Sequence, residues 1–246
     1  MNIIATTHMA DIHIATHMHT ETVMTGLPDL RLMQLVSPSL PIGSFTYSQG
    51  MEWAVEAGMI KNSGDVFDWL KGLIQDSLTW LDLPVLQRLY QAVENDDVTD
   101  AGYWSEYLLA NRETRELRQE EINRGRALAR LLVDLDVEQA NRFEPAMQIT
   151  QLAGFALAAV SWRIPFQQVA LGYSWGWIEN QVAAAIKLVP LGQTDGQKLQ
   201  LKLTELIPSA VEEAVRVTDD DIGASAPVMA IASSLHETQY TRLFRS

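Results

Sequence analysis

A chain of 246 residues, 47 % apolar and 20 % charged, can bury a sizeable core as one large domain or two small ones. Its formal net charge of −13 opposes phosphate backbones and so argues against nucleic acid, leaving plain solubility or a basic partner as its meaning. No stretch reaches the roughly 20 apolar residues of a membrane span, no basic n-region opens the chain, and no cysteine is present for a disulfide or a thiolate metal site. Together these predict a cytoplasmic protein with no membrane partner.

Residues 1–28 read as a flexible tail with no sustained helical or strand period. It holds His8, His13, His17 and His19, four of the chain's five histidines. These could bind nickel, copper or zinc through imidazole nitrogens, His17 and His19 forming an H-x-H pair. Their spacing preforms no geometry, which makes a metal site the weaker reading. Met18 and Met24 offer alternative translation starts that would remove some or all of them.

From Leu30 the pattern turns helical. Leu30–Val36 is a short apolar segment, stopped by Ser37-Pro38-Ser39-Leu40-Pro41-Ile42-Gly43, where two prolines and a glycine forbid a regular helix. Ser44–Ala57 is expected as a helix closed by Gly58. After a turn at Asn62–Asp65, Val66, Trp69, Leu70, Leu73, Ile74 and Leu78 recur at helical spacing on one face. Leu83–Val93 follows, with Pro84 in its first turn. An acidic loop at Glu94–Asp97 precedes one long helix, expected from about Asp100 to Val133. Phe143–Ser161 reads as a buried helix, with Gly154 leaving room for another helix to approach closely. Pro165 opens a segment running through Tyr173, Trp175 and Trp177 to Val189. Thr194–Val217 is expected as helix with a kink at Pro208. A short helix near Val228–Leu235 then leads to the polar-aromatic end, His236–Ser246. With some ten helical segments and no alternating strand pattern, residues 29–246 are expected to form an all-α, single-domain multi-helix bundle.

Catalytic signatures are missing. There is no phosphate-binding glycine loop, no dinucleotide fingerprint, no nucleophile elbow and no H-E-x-x-H. Beyond the tail the only histidine is His236, so a Ser–His pair would have to use it. The carboxylate pairs Glu120/Glu121 and Glu212/Glu213 sit in charge-rich helical segments and read as solvated faces. An independent enzyme is therefore not expected.

Three features point to interfaces instead. Lys187 interrupts the apolar segment Val182–Val189, where a bare ammonium is costly to bury; it either snorkels to the rim or pairs with Glu179. Six of the chain's 13 arginines, including Arg112 and Arg115, lie between residues 112 and 130. Pairs such as Arg112–Glu116 and Glu120–Arg124 suit a solvent-facing helix, while arginine in place of lysine also suits bidentate recognition of carboxylates. The C-terminal stretch sets Tyr240, Leu243 and Phe244 beside Arg242 and Arg245, residue types that anchor interfaces or simply dock on the core.

Five blocks, in order, resemble the UreF family of urease accessory proteins: Leu32–Gly50, Arg112–Arg118, Gly172-Tyr-Ser-Trp175, Lys187–Gly192 and His236–Ser246. The resemblance covers about residues 30–246. It implies an all-α protein without catalysis or a cofactor of its own, whose partners handle nickel and GTP. Those partners are UreD (also called UreH), the GTPase UreG and the apo-urease subunits, and some members form a homodimer in a two-fold assembly. By position, His236, Tyr240, Arg242, Phe244 and Arg245 match a UreD-contacting tail, with Arg242 foremost. Tyr173 and Lys187 match the region linked to the GTPase. Tyr47 and Gln49, with Arg112 and Arg115, match further interface, the arginine-rich helix being a candidate dimer face. The competing reading is a nickel-binding metallochaperone acting through the N-terminal histidines.

Overall fold

The structure, a computed structural model, describes residues 26–223 and 226–246. The N-terminal histidines lie outside the described residues, while the first helix opens at Leu27, just inside the segment read as tail. Among the described residues there is no strand. In chain order come α1 (Leu27–Leu35), α2 (Met51–Glu56), α3 (Ser63–Leu73), a π-helical segment (Ile74–Asp82), α4 (Leu83–Glu94), α5 (Val98–Ala110) and α6 (Arg115–Asp134). They are followed by α7 (Ala140–Met147), α8 (Gln151–Ser161), α9 (Phe166–Leu188), α10 (Gln193–Thr204), α11 (Ile207–Ala214) and α12 (Pro227–His236). The all-α bundle read from the sequence is the architecture found.

The bundle is built around α8. Every residue from Gln151 to Ala159 is buried, as a helix apolar on all sides must be. Helices α4, α6, α7 and α9 pack on it. The close approach expected at Gly154 is real: a Cβ there would lie 2.6 Å from Leu128 of α6. Helix α9 carries the second half of the molecule, with α10 and α11 against it, while α12 lies on α2 and α6.

Three expected helices are interrupted, each at a capping residue or a proline. The expected helix over Phe143–Ser161 breaks at Thr150, whose hydroxyl caps the amide of Leu152. The stretch expected from Thr194 to Val217 is two helices, α10 and α11, with Pro208 in the first turn of α11. The long helix expected from Asp100 is two helices, α5 and α6, divided at Asn111–Thr114, where Thr114 caps the amide of Leu117. The break lets Arg112 turn inward, where it meets Asp82 at 2.5 Å and Glu121 at 3.0 Å. The Arg112–Glu116 pair expected on the helix surface is therefore not made.

Asp82 reaches that position because α3, the π segment and α4 form one continuous rod. Within it the Thr79 hydroxyl donates to the Ile74 carbonyl at 2.7 Å. Pro84 has no N–H to return to the Trp80 carbonyl one turn earlier. That freed carbonyl instead accepts the Gly223 amide at 3.0 Å, so the proline ties the rod to the loop before α12.

Arg112, Asp82, Glu121 and the Tyr173 hydroxyl form one buried cluster, closed by the Thr150 hydroxyl on Glu121 at 2.6 Å. Burial works against the Arg112 charge, but the carboxylates of Asp82 and Glu121 outweigh it and hold the guanidinium well above its ordinary range. Burial and the same two carboxylates push the Tyr173 phenol up as well. Arg112→Met would strand two carboxylates in the interior and is expected to destabilise the fold by about 3–5 kcal/mol. Arg142→Met, which breaks only the exposed pair with Asp96, should cost about 0–1 kcal/mol. Urea unfolding of the two variants measures the contrast, and equal losses would refute the assignment.

Candidate functional site

The C-terminal stretch does not fray. Beyond α12 it folds back against α2, the N-terminal end of α6 and the turn at Tyr47–Gly50. That turn reverses through two left-handed residues, Gln49 at φ 52° and Gly50 at φ 83°. A Cβ on Gly50 would lie 2.8 Å from the Ser233 nitrogen of α12, so both the conformation and the close approach require glycine. The same reversal corrects the helix expected over Ser44–Ala57. What forms there is a 3-10 turn at Ser44–Thr46, then the separate short helix α2. The reversal frees the amides of Ser48 and Gln49, which donate to the Ser246 carbonyl at 2.5 and 3.1 Å, joined by the Ser48 hydroxyl at 2.6 Å.

Three carboxylates hold the rest of the tail. Glu52, buried on α2, accepts the amides of Leu243 at 2.6 Å and Phe244 at 2.9 Å, and His236 Nε2 lies 3.1 Å from it. The other ring nitrogen of His236 lies 2.6 Å from Glu116, which also accepts from Arg242 at 2.6 Å. Glu120 accepts from Arg124 at 2.8 Å, from the Gln49 amide at 3.1 Å and from the Ser246 hydroxyl at 3.1 Å. Gln49 in turn accepts from the Trp177 indole at 3.1 Å, which links the turn to α9. Beside the docked tail an open groove of about 600 Å³ is lined by Tyr47, Arg115, Glu116, Gln119, Arg242, Phe244 and Arg245, among others.

The structure thus brings together most of the residues singled out in the sequence. Tyr47, Arg115, Arg242, Phe244 and Arg245 share the groove, with Gln49 behind it on Glu120. Tyr240 is fully exposed and Leu243 is 65 % exposed. His236, Phe244 and Tyr47 are buried, as are Arg112 and Tyr173 in the separate interior cluster. Tyr47 and Phe244 reach the groove wall with little exposed surface, while His236, Arg112 and Tyr173 position their neighbours. Lys187 is exposed and forms no ion pair with Glu179. Its ammonium instead lies over the Phe244 ring, 5.6 Å from the centroid, a cation–π contact between α9 and the tail. One Glu179 oxygen is buried without a hydrogen-bond partner, and burial raises its carboxyl above the ordinary range. Among the described residues no group of three or more His, Cys, Asp or Glu side chains is placed to hold a metal ion.

Sequence reasoning missed Glu52, Glu116 and Glu120. Glu120 and Glu121 read as a solvated face, yet both are buried. A signal was present. The buried face of α6 runs Leu117, Glu120, Glu121, Arg124, Leu128 and Leu132, the spacing of a core stripe with charged residues at its centre. Glu212 and Glu213, read the same way, are exposed.

Burial lifts the Glu120 carboxyl above its ordinary 4.5, with Arg124 opposing the rise and Glu121 adding to it. The folded chain therefore keeps a proton there more readily than the unfolded chain. The stability this confers is complete below pH 4.5 and is lost as pH rises through the lifted value. Relative to Glu120→Gln, which cannot titrate, the native chain should be most stable in acid and lose ground toward neutrality. Unfolding midpoints at stepped pH give the difference; one that stays flat or grows with pH contradicts the buried assignment.

The UreF family profile matches residues 60–204. The chain is 53 % identical over 223 residues to the urease accessory protein UreF of Alcanivorax borkumensis, covering 88 % of this chain and 97 % of that protein. It is 51 % identical over 217 residues to the UreF of Pseudomonas putida strain W619, covering 88 % and 97 %. It is 49 % identical over 231 residues to that of Alkalilimnicola ehrlichii, covering 93 % and 100 %. The chain belongs to the UreF family of urease accessory proteins.

Proposed function

We propose that this chain is a non-catalytic scaffold and regulator of urease maturation. It joins UreD (UreH) to the GTPase UreG so that nickel reaches apo-urease in a GTP-dependent step. It works in the cytoplasm, as a homodimer within a two-fold assembly, has no cofactor of its own and leaves nickel and GTP to its partners. The observation that carries this reading is the docked C-terminal segment. Its backbone is already held by Glu52, Ser48 and Gln49, while Tyr240 and Leu243 remain uncovered. A second protein closing on such a surface does not first have to order the chain. Lys187, exposed on α9 and resting on Phe244, is the contact assigned to the GTPase side.

Removing the tail is a poor test, because it would uncover Glu52 and Glu120, both buried. Tyr240→Ala combined with Leu243→Asp alters only exposed side chains. Helicity and melting temperature should be retained, and recovery of co-expressed UreD should fall by about tenfold or more. Wild-type recovery of UreD by this variant would remove the tail from the interface. Lys187→Ala is expected to keep the fold and lower urease activity in nickel-supplied cells; unchanged activity would leave Lys187 an ordinary surface lysine.

A further inference from the structure

Helix α6 carries a basic face, one end of which, Arg115, also lines the groove beside the tail. Of its four acidic residues, Glu116 and Glu120 are engaged with the tail and Glu121 with Arg112, while Asp134 stands exposed at the C-terminal end, one turn beyond Arg130 and in no ion pair with any described residue; Arg124 is buried with Glu120. That leaves Arg115, Arg118, Arg126 and Arg130. At about 100° per residue these four fall within about 120° of the helix circumference, and they run about 22 Å along its axis. Between them on the same arc stand Gln119, Ile122 and the buried Ala129, with no acidic residue. Arg115, Arg126 and Arg130 are exposed and form no ion pair with any described residue; Arg118 donates to the Arg112 carbonyl at 2.6 Å.

An exposed arginine helix ordinarily interleaves its charges with acids one turn away. Here three of the four acids have turned inward, only Asp134 remains one turn from Arg130, and Arg126 and Arg130 face each other's charge across a single turn. The chain's net charge is −13, so without these four arginines the remainder stands at −17 (−13 − 4). An anionic partner is thus attracted to this face and repelled by the body behind it.

We propose that the outer face of α6 is a docking surface for an acidic segment of a partner protein, its carboxylates paired with the forks of Arg115, Arg126 and Arg130. Guanidinium groups favour planar carboxylates, and a length of about 22 Å matches about four turns of helix. A nucleic-acid duplex would carry its phosphates past the stripe and against the acidic body. Two copies of this chain paired through the stripe would set arginine against arginine, so the occupant is not a symmetric second copy. The proposal goes beyond the urease reading and does not depend on it.

The test uses the full chain, fluorescein-labelled poly-L-glutamate as probe and anisotropy as readout at low salt. The native chain should bind the probe. R115Q/R126Q/R130Q, which keeps helix-compatible side chains and spares Arg118, should bind about tenfold or more weakly with an unchanged melting temperature. Replacing the same three by lysine should restore part of the affinity, and binding should fall as salt rises. No binding by the native chain, unchanged binding by the glutamine variant, or displacement of the probe by an equal charge concentration of duplex DNA would each overturn the proposal. Urease activation in cells is a separate readout, so failure here and failure of the urease reading are distinguishable.

Discussion

Carboxylates that face inward must find donors, and much of how the C-terminal segment, α2 and α6 fit together can be traced to how four of them do so. Glu52, Glu116, Glu120 and Glu121 project from α2 and α6 toward the interior or its edge. An isolated carboxylate there would be driven to neutralise or would unfold its surroundings. Glu121 is satisfied by Arg112, which requires α5 and α6 to break apart at Asn111–Thr114. Glu52 is satisfied by the amides of Leu243 and Phe244, which requires the chain to return after α12. Glu116 takes His236 and Arg242, while Glu120 takes Arg124, Gln49 and Ser246. Break, return and turn are thus answers to the same electrostatic demand.

That demand explains what was legible in the sequence and what was not. Helical periodicity located most of the helices, since packing on α8 needs an apolar face and nothing more specific. The C-terminal aromatic-basic cluster is found docked on the fold, with Tyr240 and Leu243 left exposed. The interruptions at Asn111–Thr114 and Gln49–Gly50 were not legible. Local propensity through Asn111-Arg-Glu-Thr continues a helix, and only the distant Asp82 makes Arg112 worth turning inward. Likewise Gln49 adopts a left-handed conformation for the sake of Ser246 and Trp177, 197 and 128 positions away in sequence. Partners so far apart leave no local trace.

The charged residues of α6 show how burial and charge sort a single helix. A solvent-facing helix laced with ion pairs was the natural expectation from composition. Instead one face is a core stripe in which acids and one arginine replace apolar residues, and the other is basic. The segregation arises because the acids are consumed by the interior cluster and the docked tail. The outer face therefore presents guanidinium groups of which only Arg130 keeps an exposed acid, Asp134, one turn away.

The same connections make the interface blocks parts of one object. Lys187 rests on Phe244, Trp177 bonds Gln49, and Gln49 and Ser48 hold Ser246. Helix α9 therefore touches the C-terminal segment by two routes, one through an aromatic ring and one through a backbone turn. A displacement of the tail by a protein on Tyr240 and Leu243 would change the surroundings of Lys187 and Trp177 without any contact to α9. Conversely, a protein that draws Lys187 away removes a favourable neighbour from Phe244. Two binding events that share these side chains are linked in free energy, and the linkage is reciprocal. If two proteins bind these two surfaces, the order in which they arrive is a property of the buried carboxylates and the ring between the surfaces, as much as of the surfaces themselves.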